Sequence, residues 1–329
     1  MSDRIRVALA LGGGGARGYA HIGVIEALEE SGCEIVGISG TSMGALVGGL
    51  HAAGQLPAYA EWVRGLTQRD VLRLLDPSLR SPGLIRGNKV MARVIDLLAG
   101  ARIEDLPIPF TAVATDLLAR KEVWFQRGPL EMAIRASIAL PSVFTPVMLN
   151  GRLLADGGMM NPIPLAPLAA IRADATVAVG LSGDVDDQSG KTPVQESAEP
   201  LSPSEWPARV RSSAVQLLDR EAVRRVTGRL RNGRGDGAAA TGVVEEVVED
   251  VFSELPAGLG ALDVMELSLD ALQSVVTRYC LASYPPDLLI SIPKNACRTL
   301  DFHRGAEMIA LGRTVAADAL ATASLTRDG

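Results

Sequence analysis

The sequence predicts an α/β fold built on parallel strands, and three observations carry that prediction. The first 54 residues follow a strand–helix–strand–helix pattern, and three later apolar runs read as buried strands. The composition also suits a sizeable core: of 329 residues, 47% are hydrophobic and 21% charged, which excludes a disordered chain. With aromatics at only 4%, that core rests on Ala, Val, Leu and Ile.

Taken in order, Arg4 to Leu11 (RIRVALAL) is short and apolar, as a buried strand is, and Gly12 to Gly15 break it. A helix follows, with Ile22, Ile25 and Leu28 at helical spacing and an end near Ser31-Gly32. Glu34 to Ser39 (EIVGIS) is the second strand, and Met43 to Ala53 a helix of small residues. Such a crossover makes the two strands parallel and right-handed. Both glycine turns then lie at the carboxyl edge of the sheet, where open α/β folds place their sites. Phe110 to Thr115, Thr176 to Leu181 and Leu288 to Ile292 are the later strands, with a helix around Ala92 to Leu98.

Composition changes at Gly183. Residues 184–207 are rich in Ser, Pro, Asp and Glu, as a linker is. Two charged helices are expected beyond it. The first, Ala208 to Arg231, has Val215, Leu218, Ala222, Val226 and Leu230 on one face. Residues 208–234 hold eight Arg against Asp219 and Glu221, which suits either peripheral contact with a lipid surface or a charged hairpin. The second, Val243 to Leu255, is acidic and completes such a hairpin. The expected organisation is one catalytic α/β domain, residues 1–183 and 281–329, interrupted by an insertion at 184–280 that serves as lid or hairpin.

A net charge of −6 argues against a nucleic-acid-binding surface. Cys33, Cys280 and Cys297 are odd in number and far apart, so neither a disulfide framework nor a metal site is expected. A reducing cytoplasm is the default location, and the short apolar run near the start lacks a signal-peptide pattern. Residues 35–60 carry no formal charge, but their glycines, Ser39, Thr41, Ser42, His51 and Pro57 suit a buried strand, turn and helix better than a membrane span.

Two motifs carry chemistry. Gly40-Thr41-Ser42-Met43-Gly44 is a G-x-S-x-G between a strand and a helix, a context that exposes a nucleophile on a strained turn. An N-cap serine is the plainer role for Ser42. Gly12-Gly13-Gly14-Gly15-Ala16-Arg17-Gly18 frees backbone N–H groups to converge on an oxyanion or a phosphate. Nucleotide binding by this 12–18 loop is therefore an alternative, although Ser39 and Gly40 stand where a dinucleotide site needs an acidic residue.

A serine nucleophile needs a base. Ser42, Asp156 and His303 follow hydrolase triad order, yet only one strand precedes the serine's own, which is early for that fold. His21 and His51 fall within helices, as packing or solvated residues do. Asp156, followed by Gly157 and Gly158, comes after the apolar Leu153-Leu154-Ala155, where its side chain projects from a strand end or merely caps a turn. As a base it needs its pKa raised by burial.

Together these residues resemble the bacterial patatin-like phospholipases. The glycine-rich motif of that family stands as Gly13-Gly14-Gly15-Ala16-Arg17-Gly18, its elbow as Gly40-Thr41-Ser42-Met43-Gly44, and its D-G-G as Asp156-Gly157-Gly158. Lesser echoes are Ala114-Thr115-Asp116-Leu117 and Ser137 to Pro141, a serine four before a proline. The resemblance runs from about residue 5 to 183 and resumes near Pro285. It implies a three-layer α/β/α sandwich with a mainly parallel sheet and a Ser-Asp dyad: Ser42 as nucleophile, Asp156 as base. Gly13, Gly14 and Gly15 are then the oxyanion hole, with Arg17, Gly40, Gly44, Gly157 and Gly158 in support and His303 structural. The implied substrate is a lipid or other acyl ester, with no cofactor and no metal. A non-catalytic regulatory protein on the same fold is the remaining alternative.

Overall fold

Strand β1 (Ile5–Leu11) sorts its side chains by size. Val7, Leu9 and Leu11 enter a large apolar cluster on one face of the sheet, while Ala8 and Ala10 enter a small one on the other. This is the period-two alternation of a strand with both faces covered. The computed structural model from which this is seen describes residues 4–74, 88–141, 143–183 and 261–323. The linker at 184–207 and the two charged helices expected at 208–231 and 243–255 lie outside the described residues.

Helix α1 (Ala20–Glu30) crosses from β1 to the parallel strand β2 (Cys33–Thr41), and α2 (Met43–Ala52) leaves from the end of β2. Helices α3 (Leu56–Arg64), α4 (Gln68–Leu74) and α5 (Asn88–Leu98) lead to β3 (Phe110–Asp116), which is buried throughout and parallel to β2. Next come β4 (Lys121–Phe125), α6 (Leu130–Ser137), β5 (Val147–Leu149) and β6 (Arg152–Asp156). Strand β7 (Ala175–Gly183) pairs with the other edge of β1 and with β8 (Leu288–Pro293). Helix α7 (Ala261–Ser283) precedes β8, and α8 (Gly305–Thr322) follows it.

The eight-stranded sheet has the order β5-β6-β3-β2-β1-β7-β8, with β4 beside β3. Strands β1, β2, β3, β7 and β8 run parallel, as expected, while β4 and β6 pair antiparallel with β3 and β5 pairs antiparallel with β6. The large cluster draws on α1, α2, α3, α5, α6 and α8. The small one is closed by Ile163, Leu165 and Leu168, with Leu281 of α7 against it. Helical and 3-10 segments therefore flank both faces of the sheet.

The thin face has a purpose in the packing. Its alanines let the Asn161-Pro162-Ile163-Pro164 segment lie close to the strands, and three of its carbonyls are claimed there. Thr41 Oγ1 donates to Asn161 at 2.8 Å, the Gly13 N–H to Pro162 at 3.0 Å, and Ser39 to Pro164. Prolines bring no N–H of their own, so this strap needs donors from the sheet and little else.

Two compact units divide the chain: residues Met1–Gly190 with Leu267–Gly329, and Lys191–Glu266. Most of α7 thus belongs to the unit that carries the sheet. Among the described residues no helix is long and apolar enough to cross a membrane.

Helix α2 and strand β1 approach each other backbone to backbone. A Cβ on Gly44 would stand 2.0 Å from the Leu11 carbonyl oxygen. By contrast Gly65, at the end of α3, has ordinary φ −87° and open space, its nearest atom 3.6 Å away. Gly44→Ala is therefore expected to destabilise by at least about 3 kcal/mol in urea denaturation, because backbone rather than a side chain must move. Gly65→Ala should be neutral or add up to about 1 kcal/mol through the unfolded chain.

Candidate active site

Ser42 sits on the turn between β2 and α2 with φ 54° and ψ −120°. L residues rarely adopt that region, and holding one there costs about 1–3 kcal/mol. The flanking glycines make the turn sterically feasible: a Cβ on Gly40 would lie 2.4 Å from the Gly44 carbonyl oxygen. Gly13 lies against the serine, and a Cβ there would come 3.4 Å from Ser42 Cβ. The glycine loop and the elbow therefore face each other across the carboxyl end of β1 and β2.

Asp156 arrives from the opposite direction. Strand β2 pairs with β3 up to Thr41↔Val113, and antiparallel β6 takes over at once with Asp156↔Ala114. Strand β4 occupies the other edge of β3, so β2 and β6 share one edge and meet end to end. This junction places the Asp156 side chain against the Ser42 hydroxyl. The main chain of Asp156 is held by Thr115 Oγ1, which donates to its carbonyl at 2.9 Å, and by its own N–H donating to the Ala139 carbonyl at 2.9 Å. Gly157 crosses so near β3 that a Cβ there would lie 2.2 Å from the Val113 carbonyl oxygen.

Asp156 is 2% exposed. Burial pushes its pKa up to about 6, against the opposing pull of hydrogen bonds from the Ser42 hydroxyl and the Gly158 N–H. The latter is 2.7 Å long, so Asp156 also caps the following turn. A carboxylate desolvated this far is a useful base near neutral pH.

Two N–H groups of the glycine loop are bonded within the fold. Gly12 donates to Val179 and Gly13 to Pro162, both at 3.0 Å, while Gly14 and Gly15 N–H groups meet no acceptor among the described residues. The expectation that all three of Gly13, Gly14 and Gly15 offer free donors is thus narrowed to two, because the Pro162 carbonyl takes the first. Arg17 is buried and braces the loop from below: its Nη1 donates to the carbonyls of Lys294 at 3.1 Å and Cys297 at 3.4 Å.

Two further contributors escape a reading of the sequence. His21, fully buried on α1, hydrogen-bonds the Gly12 carbonyl through Nε2 at 2.8 Å. Burial pulls its pKa down to about 4, so it is neutral at pH 7 and donates from Nε2–H. Its nine-residue separation from Gly12 spans the 3-10 turn Gly15–Tyr19, which no periodicity reveals. Helix α7 is the second. Its Gln273 amide lies 3.0 Å from where a Gly158 Cβ would be, and Cys280 Sγ is 3.7 Å from Asn161 Oδ1. The other two histidines stand elsewhere: His51 is at the end of α2 beside Glu29, 3.6 Å away, and His303 is in the turn before α8. No group of His, Cys, Asp and Glu suited to a metal ion occurs among the described residues.

Comparison with known proteins identifies the family and the fold. The family model for patatin-like phospholipase matches residues 9–169. Uncharacterised NTE family proteins of Mycobacterium bovis and Mycobacterium tuberculosis are 48% identical over 97% of this chain and 92% of theirs. Lysophospholipase nte1 of Emericella nidulans is 33% identical over 56% of this chain but only 12% of its own length. Among solved structures, VipD from Legionella pneumophila superposes with a TM-score of 0.50 at 16% identity, covering 98% of this chain and 67% of that one, a likeness of fold.

The raised pKa of Asp156 has a measurable sign. Folding lifts it from 3.8 to about 6, so its contribution to stability is fully present below pH 3.8 and is lost as pH rises through 6. Asp156→Asn should therefore be more stable than the wild type at pH 8, by up to about 3 kcal/mol, with the gap closing toward pH 4. Parallel denaturation curves at the two pH values check this.

Proposed function

Because the chain belongs to the patatin-like phospholipase family, we propose that it hydrolyses carboxylic esters of lipids through an acyl-enzyme on Ser42. The observation that carries the reading is the meeting of a strained serine with a buried aspartate of raised pKa at the junction of β2 and β6. The serine has a base at hand, and that base has been prepared by burial for work near neutrality.

In the proposed reaction Ser42 Oγ attacks the ester carbonyl carbon while Asp156 accepts its proton. The carbonyl oxygen becomes an oxyanion beside the glycine loop, where the N–H groups of Gly14 and Gly15 are the available donors; one such donor contributes about 3–4 kcal/mol. Gly13 lines the hole and shapes it through its bond to Pro162. The ester C–O bond then breaks, Asp156 returns the proton to the departing alcohol, and an acyl group remains on Ser42. Water attacks that acyl carbon with Asp156 again taking the proton, which passes back to Ser42 Oγ as the fatty acid leaves. Arg17, Gly40, Gly44 and Gly157 keep the backbone in place and touch no reacting atom, while the Gly158 N–H donates to the carboxyl of the base.

Purified protein should hydrolyse p-nitrophenyl acyl esters and react with a fluorophosphonate probe at Ser42. Ser42→Ala should abolish both, and hydrolysis surviving that change would reject the assignment. With Asp156 as base, kcat/KM should rise with pH through about 6 and then level off. A rate insensitive to pH between 5 and 7 would exclude that role.

A further inference from the structure

Helix α6 ends on a side chain that the proposed chemistry does not use. Ser137 is fully buried, and its Oγ makes two bonds at once. It accepts the Ser42 N–H at 2.9 Å and donates to the Val113 carbonyl at 2.6 Å. Two residues on, the Ala139 carbonyl accepts the Asp156 N–H at 2.9 Å. The end of one helix therefore holds the main chains of both members of the dyad.

We propose that Ser137 is a positioning residue for acyl transfer, fixing the Ser42 elbow against β3 so that its hydroxyl faces Asp156. The inference rests on the reading of Ser42 and Asp156 as the dyad. Its physical basis is the state of the Ser42 N–H. Strand β2 has ended at Thr41, and the first N–H groups of a helix have no partner within it. A donor there is orphaned unless a side chain accepts it.

Only a hydroxyl accepts and donates from a single small atom. The donation to Val113 matters as much as the acceptance from Ser42. Val113 pairs with Thr41, the residue before the nucleophile, and its carbonyl lies under Gly157, the residue after the base. Ser137 is thus tied to the one peptide of β3 that both catalytic turns touch. A strained φ persists only where its surroundings over-determine it, and these two bonds supply part of that constraint. Loosening them lets the turn relax and moves Oγ away from its base.

The test compares wild type, Ser137→Ala and Ser137→Thr. Ser137→Ala should lower kcat for p-nitrophenyl esters, and the rate of fluorophosphonate labelling, by about 30- to 100-fold with KM within about threefold, as expected for misplacing a nucleophile by a fraction of an ångström. Its acid limb should move above the wild-type value near 6, because the Ser42 hydroxyl helps to hold that pKa down. Ser137→Thr keeps the hydroxyl and should recover most of the rate. A Ser137→Ala enzyme within threefold of wild type in kcat, with an unmoved pH profile, overturns the proposal.

Amide hydrogen exchange provides a readout independent of activity and of whether the variants fold. In the wild-type chain the Ser42 amide should exchange as slowly as those in the middle of β2, and exchange at the rate of an exposed loop overturns the proposal. Should the wild type fail to react at Ser42, the acyl-hydrolase reading falls, while the exchange result still decides whether Ser137 holds the elbow.

Discussion

The site depends on one edge of one strand. β3 offers its edge to β2 as far as Val113 and to β6 from Ala114 onward, so two strands running in opposite directions stop at adjacent residues. Hydrogen-bond register in a sheet is quantised, which turns this hand-over into a positional constraint that no loop could match. Ser42 follows the last residue of one strand and Asp156 ends the other. Their separation is therefore set by the pleat of β3. Thr115 and Gly157 reinforce the junction from the Asp156 side, Gly40 and Gly44 from the Ser42 side.

Around that junction the described residues exclude water and supply no cation. Asp156 has hydrogen bonds from Ser42 and Gly158 but, among those residues, no basic side chain to hold it ionised, and its pKa rises accordingly. His21, equally buried, responds in the opposite sense. With its pKa lowered from 6.5 to about 4, the unfolded chain binds more protons across that window, so stability is gained as pH rises through it and is lost on acidification. Asp156 contributes the reverse slope between 3.8 and about 6. The two linkages overlap and partly offset each other in weakly acidic solution, so folding is less pH-sensitive there than either group alone would make it. Asp156 accepts hydrogen bonds from Ser42 and Gly158, and His21, kept neutral, holds the Gly12 carbonyl and through it the glycine loop.

That loop is built more as architecture than as an open ring of donors. Gly12 and Gly13 are bonded to Val179 and Pro162, Arg17 reaches to Lys294 and Cys297, and Gly13 is in contact with the elbow. The Asn161–Pro164 strap links it to β2 through Ser39 and Thr41, and Asn161 in turn receives Cys280 from α7. Residues far apart in the chain thus fix the loop that carries the Gly14 and Gly15 N–H groups. In the proposed reaction those groups are the oxyanion donors, and preorganised donors need such backing, since their benefit comes from not having to move when charge appears.

Much of this arrangement is legible in the chain itself. The glycine surplus has an address, with 13 of the 34 glycines in the first 54 residues, and local stereochemistry explains why: a positive φ and backbone contact at an elbow tolerate few other residues. Strands β1, β2, β3, β7 and β8 stand out as apolar runs, because buried parallel strands are apolar on both faces. The short antiparallel pieces stand out less: β5 is three partly exposed residues, and β6 shows only as the apolar Leu153-Leu154-Ala155 before Asp156. The sequence by itself therefore determined the α/β class, the parallel core and the turn on which Ser42 stands, all products of local periodicity and sterics. Only the tertiary structure decided that Asp156 meets Ser42 across β3, that Pro162 claims the Gly13 N–H, and that His21 and Ser137 carry the loop and the elbow. Those are pairings between residues nine to about 150 positions apart, and a strand register or a buried hydrogen bond leaves no periodic trace in the chain.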